Sequence, residues 1–316
     1  MNNSQKKPLV IIAGPTATGK TQASILLAHR INGQVISADC MQAYKYMDIG
    51  SAKITLDEME GIKHYGVDFI EPTDEYNVTR FQSLAKESIA NIYKDNAVPM
   101  IVGGTGFYIQ SVLYDIAFDE TSKENGIRAK LEASLKEHGP EYLHNMLAKI
   151  DPESATLIHP NNTKRVLRAI EYYEQTGQKI SDHNKEQRQN KSPYNYVFFC
   201  ITDERDSMYD RIDLRVDKMV NNGLIDEVKK LKDMGLSRAN VSMQGIGYKE
   251  VLDYLEGKCS LDEAIYIIKR DTRHFAKRQL TWFRREPFVT WVNRSSFDST
   301  DAMIDYMYSI CKDKIL

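Results

Sequence analysis

Gly14-Pro-Thr-Ala-Thr-Gly-Lys-Thr21 meets every fixed position of the G-x-x-x-x-G-K-[ST] pattern, and its neighbours supply the context that such a pattern needs. The β-branched apolar run of residues 9–13 precedes it, and residues 20–30 follow with Ile25, Leu26, Leu27 and Ala28 at helical spacing. Strand, glycine loop and helix in succession predict an α/β core built on a parallel sheet. Gly14 and Gly19 let backbone N–H groups converge on phosphate oxygens, Lys20 adds a mobile cation, and Thr21 offers a hydroxyl to Mg²⁺. Nucleotides such as ATP are the usual guests of such a loop, but its chemistry grips any diphosphate.

Two more apolar runs end in chemistry. Residues 35–38 lead into Asp39, and residues 98–102 lead into Gly103-Gly-Thr-Gly106. In a parallel sheet the carboxyl ends of the strands share one edge, where ligands bind, so Asp39 and Thr105 are expected to face the glycine loop. Asp39 could hold Mg²⁺, orient an acceptor hydroxyl, act as a general base, or simply cap a turn. Asp48 and Lys53, in the Met47-Asp-Ile-Gly-Ser-Ala-Lys53 run, are either site residues or loop charges. From residue 118 to 192 the texture becomes wholly helical, with Leu131, Leu135, Tyr142, Leu143, Met146, Leu147 and Ile150 three and four residues apart. This predicts an inserted all-helical subdomain (118–192) within a core formed by 1–117 and 193–316. Residues 181–192 read as a flexible connection, residues 196–201 as a strand returning to the sheet, and the last third as mostly helix over 208–234 and 261–282.

Composition excludes several classes. The chain has 316 residues, 42% hydrophobic and 27% charged, which suits a folded protein and not a disordered one. No stretch is long enough for a signal-peptide core or a membrane span, so a cytoplasmic protein without membrane attachment is expected. Cys40, Cys200, Cys259 and Cys311 are scattered, with no CxxC pair, and suggest neither zinc nor disulfides. The net charge of −2 does not by itself announce a nucleic-acid partner.

Six separated words, GPTATGKT, ISADCMQAYKYMDIGSAK, PMIVGGTGFYIQ, IHPNNTKRVLRAIE, QGIGYKE and KRQLTWFRR, together resemble the bacterial tRNA dimethylallyltransferase (tRNA isopentenyltransferase) family. The resemblance runs from Val10 to about Trp291. It implies a P-loop-type core with an inserted helical domain. It also implies transfer of dimethylallyl from its diphosphate to N6 of an adenosine beside the anticodon, so that the loop holds a prenyl diphosphate in place of a nucleotide. Carried over residue by residue, Thr16, Ala17, Thr18, Gly19, Lys20 and Thr21 bind the diphosphate, Asp39 is the general base, and Arg215 helps to hold the diphosphate. Cys40, Met41 and Gln42 meet the target adenosine, and Thr105 touches its neighbourhood. Cys40 departs from the serine more common there, and a thiol is the weaker hydrogen-bond partner.

The resemblance also implies a route for the RNA. Arg128, and Lys164, Arg165 and Arg168 on one side of a helix, belong to the inserted domain and lie against the anticodon stem-loop. Gln244, Tyr248 and Lys249 form another contact, and Lys277, Arg278, Gln279, Trp282 and Arg284 a third. Local charge supports the last of these. Residues 269–286 carry seven basic and two acidic side chains interleaved with Phe275, Trp282 and Phe283, while the rest of the chain holds 35 basic against 42 acidic. Basic groups neutralise backbone phosphates and aromatics stack on unpaired bases. The asymmetric anticodon arm and the lack of a coiled-coil seam suggest a monomer. A phosphoryl-transferring kinase and an adenylate isopentenyltransferase are the competing expectations.

Overall fold

The computed structural model describes residues 6–118 and 126–316. The chain divides into two compact units, one of residues up to Leu113 and from Pro193 onward, the other of Tyr114–Ser192.

The first unit is built on β1 (Pro8–Ala13), a strand in which Leu9 to Ala13 are wholly buried. Such a strand needs cover on both faces, as expected of a parallel sheet. It leads through the glycine loop into α1 (Lys20–Ile31), and then to β2 (Gly33–Ser37), the two-residue β3 (His64–Tyr65), α2 (Val78–Lys94), β4 (Val98–Gly103) and α3 (Gly106–Leu113).

The second unit holds α4 (Ile127–His138), α5 (Pro140–Ile150), α6 (Pro152–Leu157), α7 (Thr163–Thr176) and α8 (Ile180–Arg188). The chain then returns as β5 (Asn195–Thr202), α9 (Arg205–Asn221), α10 (Leu224–Asp233), α11 (Tyr248–Leu255), α12 (Leu261–Phe283), β6 (Val289–Asn293) and α13 (Thr300–Lys314).

Every strand pairing is parallel, in the order β3-β2-β4-β1-β5-β6. Register places Ala13 beside Gly103 and Cys200, so the glycine loop leaves the sheet at its centre. Alternation decides which helix covers which face. Val10, Ile12, Met100, Val197 and Phe199 pack with Leu27 and Ala28 of α1 and with Ile304 and Met307 of α13. On the other face Phe198 meets Phe283 of α12 edge to face, with ring centroids 6.2 Å apart.

The helical unit closes around Leu131, Leu143, Leu147, Val166, Leu167 and Ile170. Its polar anchor is Asp151, buried at the start of α6. The carboxylate accepts the N–H of Ser154 (3.0 Å), the hydroxyl of Ser154 (2.7 Å) and the N–H of Ser181 (3.0 Å). Burial alone would raise its pKa, but these hydrogen bonds outweigh burial and hold it below the usual carboxylate value.

Several expectations change. The helical unit begins at Tyr114, four residues earlier than the 118–192 reading, because Asn190 Nδ2 donates to the Tyr114 carbonyl and Ala117 N–H to Gln187 Oε1. The polar 181–192 stretch is mostly the helix α8. The helical stretch 208–234 consists of two helices, α9 and α10, separated at Asn222–Gly223, where Gly223 takes φ 101°. The short edge strands β3 and β6 carried too little apolar signal to be foreseen, and Tyr142, expected in the helical core, is 46% exposed.

The sheet tolerates no bulk where the loops converge: a Cβ on Gly103 would stand 2.4 Å from the backbone of Ala38. Gly103→Ala should therefore cost about 2–3 kcal/mol of overpacking, read as a lower urea-unfolding midpoint. An unchanged midpoint would show that β2 and β4 have slack there.

Candidate functional site

The glycine loop is held from inside and outside. Thr18, fully buried, donates its hydroxyl to the Pro15 carbonyl (2.9 Å), and Lys20 Nζ donates to the same oxygen (2.6 Å). Ala17 takes φ 63°, a left-handed conformation costly for a residue with a Cβ. Its carbonyl accepts from Arg211 Nε at 3.0 Å, and Arg211 in turn pairs with the buried carboxylate of Asp203 at the end of β5. Hydrogen bonds from Ser295, from the Glu204 N–H and from Arg211 overcome the burial that would raise the Asp203 pKa, and keep it low. Gly19, at φ 84°, opens α1, and the Arg294 guanidinium lies 2.8 Å from where a Cβ on Gly19 would stand.

Three charges meet at the front of the loop. Burial pushes the Lys20 ammonium down to about 8, the nearby Arg215 guanidinium pushes it the same way, and the Asp39 carboxylate opposes both. Arg215 is likewise lowered by burial, with Asp39 opposing. Two cations desolvated against one carboxylate leave a surplus of positive charge, the electrostatics of an anion site. Thr21 is exposed beside them. Lys20 and Thr21 stand on the wall between two hollows. One is lined also by Asp39, Gln42, Ser37 and His64, the other by Ala17, Gly19, Arg215, Glu58 and Glu60.

Asp39 lies two residues past β2, and its Oδ1 accepts the Met41 N–H at 2.9 Å. Cys40 beside it is hydrogen-bonded with Thr105. Burial first, and then the Asp39 charge, push its thiol up to about 12, so it stays neutral. The Thr105 N–H donates to the Ala38 carbonyl (3.2 Å), which ties the ends of β2 and β4 together. The structure thus gathers Gly14, Thr16, Ala17, Thr18, Gly19, Lys20, Thr21, Asp39, Cys40, Gln42, Thr105 and Arg215 at one sheet edge.

Other expected site residues are placed differently. Gln279 is buried: its Oε1 accepts the Thr16 N–H (3.0 Å) and its Nε2 donates to the Gly104 carbonyl (3.0 Å). It is therefore a brace and not an exposed RNA contact, and the Thr16 N–H is spoken for, leaving only the Thr16 hydroxyl for a ligand. Tyr248 is fully buried and offers RNA no side-chain surface. Arg128 pairs with Glu132 (2.9 Å) and Glu171 (3.4 Å), and Lys249 with Glu250 (3.4 Å). Met41 packs against Gly245, and Gln244 is exposed with its amide on the Arg238 carbonyl. Asp48 and Lys53 are loop charges that pair with one another at 2.6 Å. Arg211, Asp203 and Arg294 were missed. The four-residue spacing of Arg211 and Arg215 on α9, which puts both on one helix face, was the available signal.

The basic strip separates into two parts. Lys269 pairs with Asp217, Arg270 with Asp271 and Arg273 with Asp213. Lys277, Arg278, Arg284 and Arg285 are exposed and make no ion pair among the described residues. Arg278 lies 5.8 Å from the ring centre of the partly exposed Phe275. Trp282 is half-buried against Gly106, and its Nε1 is enclosed without an acceptor among the described residues. On α7 Lys164, Arg165 and Arg168 are exposed opposite the buried Val166, Leu167 and Ile170.

Comparison with known proteins agrees with this geometry. Residues 42–286 match the family model for IPP transferase, and residues 7–68 that for isopentenyl transferase. The chain is 54% identical over 308 residues to the tRNA dimethylallyltransferase of Lachnoclostridium phytofermentans, covering 98% of both chains, and 50% identical to that of Acetivibrio thermocellus over 94% of this chain and 95% of the relative. Among solved structures it is similar to a tRNA isopentenylpyrophosphate transferase from Bacillus halodurans, with 45% identity, TM-score 0.75, and coverage of 98% of this chain and 97% of that one. It is also similar to a eukaryotic dimethylallyltransferase described as acting on tRNA, with 31% identity, TM-score 0.84, and coverage of 98% and 80%. With a glycine loop, a carboxylate and two desolvated cations on one sheet edge, and with relatives matched along nearly its whole length, the chain belongs to the tRNA dimethylallyltransferase family.

Proposed function

We propose that the chain transfers the dimethylallyl group of dimethylallyl diphosphate to N6 of the adenosine adjacent to the anticodon of tRNA, releasing diphosphate. The observation that carries this reading is the grouping of two cations and a carboxylate at the glycine loop: Lys20 lines one hollow with Asp39 and the adjoining one with Arg215. The cations suit a diphosphate that gains charge as it leaves. The carboxylate suits an amine that must lose a proton. In this reaction N6 forms a bond to the allylic carbon as the carbon–oxygen bond to diphosphate breaks. The N6 proton, acidic only once that bond is forming, passes to Asp39.

The diphosphate is held by the Thr16 hydroxyl, backbone N–H groups of the glycine loop, the Lys20 ammonium and Arg215, while Arg211 and Gln279 keep the loop in shape. Mg²⁺ fits this arrangement as a shared ion. The Thr21 hydroxyl, exposed beside the loop, would hold the ion together with the diphosphate. When bound, the ion neutralises the departing diphosphate.

RNA phosphates are met by the unpaired basic groups Lys277, Arg278 and Arg284 of the first unit; the second unit has a basic helix face of its own in Lys164, Arg165 and Arg168. Extruding the target base costs a few kcal/mol, which phosphate contacts and stacking on Phe275 or Trp282 offset. A single chain suffices for this site. No helix of the described residues is long and apolar enough to cross a membrane.

The direct test offers the purified protein labelled dimethylallyl diphosphate with undermodified tRNA, AMP or ATP. Label is expected on tRNA alone; label on AMP, or ATP hydrolysis in its place, contradicts the proposal. Asp39→Asn should lower turnover by roughly 10²- to 10⁴-fold with diphosphate affinity kept, and an unchanged rate removes Asp39 as base. Because diphosphate binding favours protonated Lys20, whose free-enzyme pKa is about 8, kcat/KM for dimethylallyl diphosphate should fall as pH rises through about 8. A flat profile to higher pH would separate Lys20 from binding. Lys277→Ala and Arg278→Ala should each weaken tRNA binding and flatten its salt dependence by about one unit of slope; unchanged affinity and slope would mark the strip as solvated surface.

A further inference from the structure

Two stretches of the family pattern, residues 47–53 and 244–249, have no part in the chemistry above, and both converge on Glu227 of α10. The Glu227 carboxylate accepts the consecutive backbone N–H groups of Asp48 (2.8 Å), Ile49 (2.7 Å) and Gly50 (3.0 Å), together with the Tyr248 hydroxyl (2.8 Å). Successive N–H groups turned toward one point make an anion-binding concavity, and here the protein's own carboxylate fills it. Tyr248 is wholly buried with its ring against Gly50, where a Cβ would stand 2.6 Å from the ring. Burial and the Glu227 charge raise its phenol far above the ordinary value, so it remains a donor.

The connection to the site runs through the same loop. Gln42 Nε2 donates to the Ala52 carbonyl (3.0 Å), and the Ser37 hydroxyl donates to Gln42 Oε1 (3.3 Å). Held at both ends of its amide, Gln42 lines the hollow that Asp39 also lines. The Met41 N–H fixes Asp39, and the Met41 side chain seats on Gly245, where a Cβ would stand 2.6 Å from Cε. Each link is a hydrogen bond or a backbone approach that admits no extra atom.

We infer that Glu227, with Tyr248, is a positioning residue of the transfer reaction: it holds residues 48–52 so that Gln42 and Asp39 present a fixed face to the target adenosine. This rests on the prenyl-transfer reading, and it assigns the QGIGYKE word a role behind the site in place of direct contact with RNA. The effect should fall on turnover and not on diphosphate capture, because none of the hydrogen bonds that link Glu227 to Gln42 and Asp39 is made to the glycine loop.

Steady-state kinetics on undermodified tRNA, with a melting curve for each variant, make the test. Glu227→Gln keeps the size but loses the charge, and should lower kcat about tenfold, the loss expected for charge-assisted hydrogen bonds. The KM for dimethylallyl diphosphate should stay close to wild type, and the melting temperature, lowered by the weakened hydrogen bonds, should still lie well above the assay temperature. Glu227→Asp should recover part of the rate, and Tyr248→Phe, which deletes one bond of four and keeps the ring, should show a smaller loss in kcat alone. Should Glu227→Gln fail to fold, Tyr248→Phe carries the same comparison. A folded variant with wild-type kcat, or a KM for the diphosphate that rises as kcat falls, would overturn the inference. A wild-type protein that labels no tRNA would instead overturn the prenyl-transfer reading on which the inference rests.

Discussion

One buried amide ties the working parts together. Gln279, on the long helix α12, takes the Thr16 N–H with its oxygen and gives its nitrogen to the Gly104 carbonyl, both at 3.0 Å. It thereby joins the glycine loop after β1, the glycine turn after β4 and the helix whose last turns expose Lys277 and Arg278. Leaving either backbone group unpaired in this enclosed place would cost about 1–3 kcal/mol, so the three elements hold one another in register. The close approaches agree: a Cβ on Gly104 would stand 2.1 Å from Gln279 Nε2, and one on Gly106 2.1 Å from Trp282. The glycines after β4 make room for α12, which is a packing demand.

Electrostatics follows the same division between structure and site. The basic residues at the start of the strip are spent on α9, where Asp213 and Asp217 receive Arg273 and Lys269. That pairing fixes α9, and α9 carries Arg211 to the Ala17 carbonyl and Arg215 to the hollow beside Gly19 and Lys20. The later part of the strip has no such partners among the described residues and leaves its charge to solvent or to phosphate. An overall charge of −2 therefore averages a neutralised scaffold, an acidic remainder and a small uncompensated basic surface.

Much of this was legible in the sequence because local pattern and chemistry coincide. The loop, its flanking strand and helix, the ends of β2 and β4, the return of β5 and the helical insertion all carry a periodic or glycine signal that needs no tertiary information. Asp39, Lys20 and Thr21 follow from position on a parallel sheet edge. Arg215, by contrast, was legible only through family resemblance, since its helix spacing fits a solvated arginine equally well. What was illegible depends on distant partners. Gln279 and Tyr248 look like RNA contacts beside basic neighbours, yet their polar atoms meet Thr16 and Glu227, which lie 263 and 21 residues away. The edge strands β3 and β6 are too short to show a period. The break between α9 and α10 rests on one positive-φ glycine inside an otherwise continuous helical pattern.

The brace is tested most directly by calorimetric titration of Gln279→Leu with dimethylallyl diphosphate and, separately, with undermodified tRNA. Loss of the amide should loosen the glycine loop and weaken diphosphate binding by about tenfold, in keeping with orphaned buried backbone groups, while tRNA affinity is kept by the exposed arginines and lysines. Weakened tRNA binding with unaltered diphosphate affinity would contradict the account, and would return Gln279 to the RNA surface.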